Sequence, residues 1–349
     1  MDQAALASLA LPSVSRLSKN VVRILGQNPG KFTLGGTNTY LVGQCNPYTL
    51  IDTGEGLDSY IPFLEQALKD GSVPHHADKQ DVSDIIITHK HHDHAGGLST
   101  VLALLQRLWD IRGRDVATSP YVPPRIHKFA LPSQDLRLQT ILQSLQAGTY
   151  TPNAAGGLIH ELSDGQVLPV TTNDASESSH LHVIHTPGHT EDSLCLYLPA
   201  DNALFTADTV LGYGTSVFED LREYMFSLKK MIAFNEGKDE KHQYKTVYPG
   251  HGPVVDDGPK VIAMYLRHRV EREDQLIAHL KQPPASLTLG YEGVWTVWTL
   301  VGTIYKEYPK ELWEPAAHNV YLHLEKLKAD GRVRHLGGVG KDSEWQWLE

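Results

Sequence analysis

The feature that most restricts what this chain can fold into is the run from His89 to His94. There the pattern H-x-H-x-D-H sets four ligand-type side chains, His89, His91, Asp93 and His94, directly behind the β-branched stretch Ile85-Ile86-Ile87-Thr88. A buried strand that ends in such a run delivers its last residues to a loop, where successive side chains can turn toward different points. His89 and His91 then face one point, and Asp93 and His94 a second. Two adjacent nitrogen and oxygen sites of this kind suit zinc or a similar divalent ion. His92, inside the run, is expected to face away from both. Ala95-Gly96-Gly97 lets the next helix begin close by.

The same arrangement recurs three times. Thr186-Pro187-Gly188-His189-Thr190, Phe205-Thr206-Ala207-Asp208-Thr209 and Tyr248-Pro249-Gly250-His251-Gly252 each close an apolar, strand-like stretch. Pro and Gly beside a histidine fix a sharp turn and leave room around the ring. The chain holds 19 histidines, and imidazole is the commonest metal ligand, so their placement matters more than their number. His75, His76, His127, His182, His185, His242 and His268 sit in no ligand pattern and are expected to be surface or structurally satisfied residues.

Around these motifs the pattern reads as strands near 20–26, 38–42 and 48–52, then helix 57–68, strand 85–88 and helix 95–108. Strands follow at 181–186, 194–198 and 204–206, with helix 219–234 and a short strand at 246–248. The stretch 111–160 is rich in Pro and less regular, and is expected to be a substrate-side insertion. From Pro259 the pattern turns helical to about Lys281, breaks at Pro283 and Pro284, and resumes near 315–329 before a short strand region. This predicts a catalytic domain over 1–257 and a small helical appendage over 258–349. The run 212–220 suits either the mouth of the site or a loop that caps a helix.

These motifs resemble the metallo-β-lactamase superfamily over about 20–256. The resemblance implies an α/β fold, the αββα sandwich, with two metals at one end. Carried over position by position, it implies that His89, His91 and His189 bind the first metal and Asp93, His94 and His251 the second, with Asp208 bridging both. Asp93 and Asp208 are then the catalytic carboxylates. The implied cofactors are two divalent ions, zinc or, as the alternative, manganese. An oxygen ligand at Asp208, with Cys195 outside the motif, argues against antibiotic hydrolysis. Asp52 matches the superfamily's early aspartate, which would orient ligands, although a turn-starting Asp reads the same.

Asn28 to Gly43 and Val217 to Leu228 are similar to one subgroup, which holds lactamase-like endoribonucleases and fungal thioesterases that release atrochrysone-type acids from an acyl carrier protein. Both carry a C-terminal appendage similar to a winged helix. Lys and Arg total 31 against 41 Asp and Glu, a net charge of −10, which does not draw phosphate backbones from a distance. The appendage holds twelve basic and twelve acidic residues, so no cationic face is forced on it. A thiolate, with a pKa of about 8.5, leaves without an acid's help, and the motifs supply no obvious acid. The expectation is therefore thioester hydrolysis on an acyl carrier protein of a polyketide synthase, with single-strand RNA cleavage as the alternative. Tyr291, Trp295, Trp298, Tyr305, Tyr308 and Trp313 could bind an aromatic ligand or pack the appendage. Two cysteines, Cys45 and Cys195, make no disulfide framework. No segment suits a bilayer span and the N-terminus makes a poor signal peptide, so a cytoplasmic location is expected.

Overall fold

The computed structural model describes residues 11–70, 75–112, 120–130, 135–174, 178–282 and 293–348. Short β-rich runs parted by Gly, Pro and Asn build the first sheet. Strands β1 (Val14–Arg16), β2 (Val21–Leu25), β3 (Asn38–Val42) and β4 (Tyr48–Ile51) pair antiparallel in chain order. After helix α1 (Ile61–Asp70), β5 (Val82–Ile87), β6 (Arg125–Phe129) and β7 (Ile159–Leu162) extend it in parallel to seven strands. The second sheet has five strands, in the order β12 (Thr246–Pro249), β11 (Ala203–Ala207), β10 (Leu194–Leu198), β9 (Ser179–His185) and β8 (Val167–Val170).

The period of two along the strands decides the layers. Ile85 and Ile87 point outward with Leu50 onto α1 and α3 (Leu98–Arg112), whereas Ile86 points inward with Tyr40, Val42 and Ile51. The inward set meets Leu181, Val183, Leu194, Leu196 and Phe205 of the second sheet. That sheet's other face, with Cys195, Tyr197 and Leu204, packs on α5 (Leu221–Glu236) and the front half of α6 (Gly258–Leu280). The result is the helix–sheet–sheet–helix sandwich. Full burial of each aliphatic side chain contributes about 1.5–3 kcal/mol, so the two faces of each sheet specify register strongly.

Besides adding β1 and β8 and starting the first helix at Ile61, the structure departs from the sequence pattern at two places that shape the fold. The expected helix 95–108 is split into a short α2 (His92–Ala95) and α3. The Gly97 amide donates to the Gly54 carbonyl at 2.9 Å rather than to a carbonyl one turn back, and a Cβ there would lie 2.0 Å from the Thr53 carbonyl oxygen, so only glycine lets the chain pass this close. The stretch 111–160, expected on the substrate side, instead supplies β6, helix α4 (Leu136–Gln143) and β7 to the first sheet and its outer layer. The polar sequence of β6 concealed it. His127 and Lys128 are buried there, His127 Nε2 against Asp84 and Lys128 in an ion pair with the fully buried Asp192.

Beyond the sandwich, β13 (Val294–Thr296), helices α7 (Val297–Ile304) and α8 (Trp313–Ala329), and strands β14 (Val333–Gly337) and β15 (Glu344–Trp347) enclose a core of their own. A reciprocal Thr296–Thr299 capping box starts α7. Helix α6 serves both cores: Ile262 and Tyr265 belong to the sandwich, and Leu276, Ile277 and Leu280 to the C-terminal core. Trp295 is buried in that second core, and Trp298, Tyr305 and Trp313 pack against it. Those aromatics therefore build the appendage. Tyr308 is exposed, and Tyr291, Pro283 and Pro284 lie outside the described residues.

Candidate metal centre

Every ligand-type residue singled out from the sequence reaches one end of the sandwich. His89, His91, His189 and Asp208 form one group and Asp93, His94 and His251 another, each with its ligand atoms within 4.8 Å of one another. His89 to His94 follow β5, His189 follows β9, Asp208 follows β11 and His251 follows β12. The two sheets are tied together at this end. Asn38 of β3 donates from its amide to the Pro249 and Gly252 carbonyls at 2.8 and 2.9 Å, and Tyr40 donates to the Pro249 carbonyl at 2.7 Å.

Three of the rings, His89, His94 and His189, are held by one nitrogen and offer the other. His94 Nδ1 contacts Asp52 Oδ2 at 2.7 Å, His89 Nδ1 meets Thr88 Oγ1 at 3.0 Å, and His189 Nδ1 donates to the Val217 carbonyl at 2.8 Å. Their Nε2 atoms all turn inward, whereas His91 presents Nδ1, which lies 3.1 Å from His89 Nε2 and 3.0 Å from His189 Nε2. Nitrogens about 2.0–2.1 Å from a tetrahedral ion stand about 3.4 Å apart, so the three rings are spaced as ligands are. Asp52 also accepts from the Thr88 amide and hydroxyl at 2.8 and 2.9 Å. Asp52 thus bonds the ring of His94 from behind, the contact expected of an orienting aspartate. It keeps a positive φ of 59°, and Ala207, just before Asp208, one of 45°. Such strain costs on the order of 1–3 kcal/mol each and persists only where the surroundings impose it.

Asp208 reaches both groups. Its Oδ2 lies 3.2 Å from His251 Nε2 and 3.7 Å from His189 Nε2, and its Oδ1 lies 3.3 Å from His94 Nε2. The last contact lacks hydrogen-bond geometry, so Asp208 Oδ1 and His94 Nε2 are both buried without a hydrogen-bond partner. Two orphaned, facing atoms in a shell of nitrogen and oxygen donors are what a cation between them would satisfy. The electrostatics agree. Burial, then the neighbouring His189, lowers His91 to about 4, and burial with His94 drives His89 well down, which leaves both rings as neutral donors. Burial opposes ionisation of Asp208, but His251 and His94 outweigh it and hold the carboxylate well below its usual range. His251 is raised to about 9 because Asp208 and Asp93 outweigh its burial.

Above the groups opens a cavity of about 410 Å³. Its walls are Lys31 to Leu34 on one side and Leu211 to Val217 on the other. The run 212–220 thus does both things expected of it, since Asp220 also caps α5 by accepting from the Glu223 amide at 2.9 Å. No described residue of 111–160 or of the C-terminal core lines this cavity. His92 is exposed, and no other described histidine joins a ligand group. Sequence reasoning missed Thr37, whose hydroxyl donates to Asp93 Oδ2 at 2.9 Å and accepts from Asn28 at 3.0 Å. Only the Asn28 to Gly43 similarity marked that stretch, and nothing in it named an individual contact.

Residues 32–251 match the family described as metallo-beta-lactamase superfamily. The chain belongs to that superfamily. Residues 296–345 match the beta-lactamase associated winged helix domain. Relatives of this metallo-β-lactamase superfamily chain include a beta-lactamase-like protein 2 homolog of Drosophila melanogaster, 35% identical over 93% of each chain. An atrochrysone carboxyl ACP thioesterase of Aspergillus novofumigatus is 32% identical over 93% of this chain and 83% of its own. A beta-lactamase domain protein from Burkholderia ambifaria has the same fold, with a TM-score of 0.63 at 17% identity, over 97% of this chain and 95% of its own. A metallo-beta-lactamase family protein of Thermus thermophilus matches at a TM-score of 0.60, 20% identical over 95% of this chain and 100% of its own. Superfamily and site together make the chain a metallo-β-lactamase-like hydrolase whose His/Asp cluster is compatible with divalent metal. Among the described residues no helix is long and apolar enough to cross a membrane.

Proposed function

We propose that the chain is a thioesterase, cleaving an acyl thioester carried by an acyl carrier protein. In this reading His89, His91 and His189 hold one divalent ion, Asp93, His94 and His251 a second, and Asp208 stands between them. Bound there, the pair would supply Lewis acidity and a water of lowered pKa. Asp52, Thr88 and the Val217 carbonyl fix the ring orientations, and Thr37 fixes Asp93.

The observation that carries the reading is the cavity wall. Phe32, Leu34, Leu211 and Val217 offer apolar surface for an acyl chain, and beyond the His/Asp groups the titratable lining residues are Lys31 and Tyr213. Thr33 and Ser216 spend their hydroxyls on the Asn28 and Asp208 carbonyls. So sparse a supply of acids suits a leaving group that needs no proton, and a thiolate is one. The thioesterase named among the relatives, similar along nearly the whole chain, supports the same choice. Two free, buried cysteines fit a cytoplasmic enzyme.

A second reading, RNA cleavage, draws on Lys31, Phe32 and Tyr213 at the mouth, where Phe32 is 71% and Tyr213 49% exposed. A cation beside exposed rings is also what holds a single-stranded backbone and stacks its bases. Zinc- and manganese-loaded protein offered an acyl-pantetheine thioester, an acyl carrier protein thioester and unstructured RNA decides between them. Metal-dependent release of free thiol is the expected result. RNA cleavage beside inert thioesters would overturn it.

A further inference from the structure

Helix α6 leaves the sandwich for the winged helix, yet two of its residues, one turn apart, grip the loop that walls the metal centre. Tyr265 is 2% exposed, and its hydroxyl accepts from the Leu211 amide at 3.2 Å and donates to the Gly214 carbonyl at 2.9 Å. Arg269 is 6% exposed and donates from Nη2 to the Ser216 carbonyl at 3.0 Å. Its guanidinium lies over the Phe218 ring at 4.8 Å and the Tyr224 ring at 5.7 Å. The gripped segment is the one that ends in the groups that hold ligands: Ser216 Oγ donates to the Asp208 carbonyl, and the Val217 carbonyl accepts from His189 Nδ1. One turn further along α6, Glu273 pairs with Lys326 of α8 at 2.9 Å, which fastens the same helix to the appendage.

We propose that Tyr265 and Arg269 are positioning residues of the metal centre, acting through Leu211–Val217 on His189 and Asp208, so that the sandwich-side half of α6, rather than the winged helix it leads to, braces the site. The inference rests on the reading of His189 and Asp208 as metal ligands. Partners that orient a ligand from behind typically change metal affinity or activity by about ten- to hundredfold when removed. Tyr265→Phe deletes the hydroxyl at almost constant volume, and Arg269→Met deletes the guanidinium while keeping an apolar stem.

Cobalt(II) titration of the full-length chain tests this, read by the visible ligand-field spectrum and by competition with a chelator, alongside melting temperature. In Tyr265→Phe and Arg269→Met the spectrum shifts and cobalt affinity falls by about ten- to hundredfold. Leu276→Ala, in the appendage core on the same helix, lowers the melting temperature and leaves spectrum and affinity unchanged. Wild-type affinity and spectrum in Tyr265→Phe overturn the proposal, and that variant decides should Arg269→Met fail to fold. An equal loss of affinity in Leu276→Ala also overturns it, by reducing the effect to general stability. A wild-type chain that takes up no cobalt instead overturns the reading of the ligands.

Discussion

At the scale of single residues, the centre depends on atoms that bind nothing themselves. Gly250 is the sharpest case. A Cβ there would stand 2.2 Å from Asp208 Oδ1 and 2.9 Å from the Ala207 carbonyl carbon. Gly250→Ala is therefore expected to displace the Asp208 carboxylate. Metal affinity, measured by chelator competition, should drop by about ten- to hundredfold, with far-UV circular dichroism unchanged. Retention of wild-type affinity would show that the carboxylate can retreat freely. The ligand types were legible in the sequence because they are crowded at strand ends and flanked by Pro and Gly. Thr37, Ser216, Tyr265 and Arg269 were not. A hydroxyl or a guanidinium that bonds a distant carbonyl or carboxylate leaves no spacing pattern, and Arg269 meets Ser216 across 53 positions of chain.

Elements show the same division between local and distant causes. The β-branched half of the strand Val82–Ile87 announced itself, as the expected 85–88, and so did most of the amphipathic helices. Arg125–Phe129 did not, because two of its three buried side chains, His127 and Lys128, are polar and find their partners only across space. Asp84 on β5 receives Arg125 through Nε and Nη2 at 2.8 and 2.9 Å and touches His127 Nε2 at 2.6 Å, so that it clasps two adjacent strands. Burial would raise its pKa, but His127, Arg125 and Ser83 outweigh that and hold it at about 2. A carboxylate depressed on folding stabilises the native state above its unfolded pKa of about 3.9, and that gain is lost as pH falls toward 2. The stability difference between wild type and Asp84→Asn, from urea unfolding, should shrink by about 2 kcal/mol between pH 5 and pH 2. A difference that does not change with pH would remove Asp84 from the account.

For the whole molecule, the fold is two sheets joined at one end by seven side chains with cation-seeking geometry, so that divalent metal should act as a clasp between them. Free ion at a hundred times its dissociation constant adds about 2.7 kcal/mol per site to a native state that alone binds it. Exhaustive chelation should lower the melting temperature, and zinc or manganese should restore it. A melting temperature indifferent to both would leave the clasp without metal.

The proposed ligands run from His89 to His251 along the chain, and this gives the centre a history as well as a shape. Synthesis of the intervening residues takes roughly eight to thirty seconds at ribosomal speeds. For the first part of that interval the nascent chain carries a half-built cluster, three imidazoles and a carboxylate, until His189, Asp208 and finally His251 join from the second sheet. A divalent-ion site made of all seven side chains can therefore be completed only after His251 has been made, when both sheets are present to meet around it.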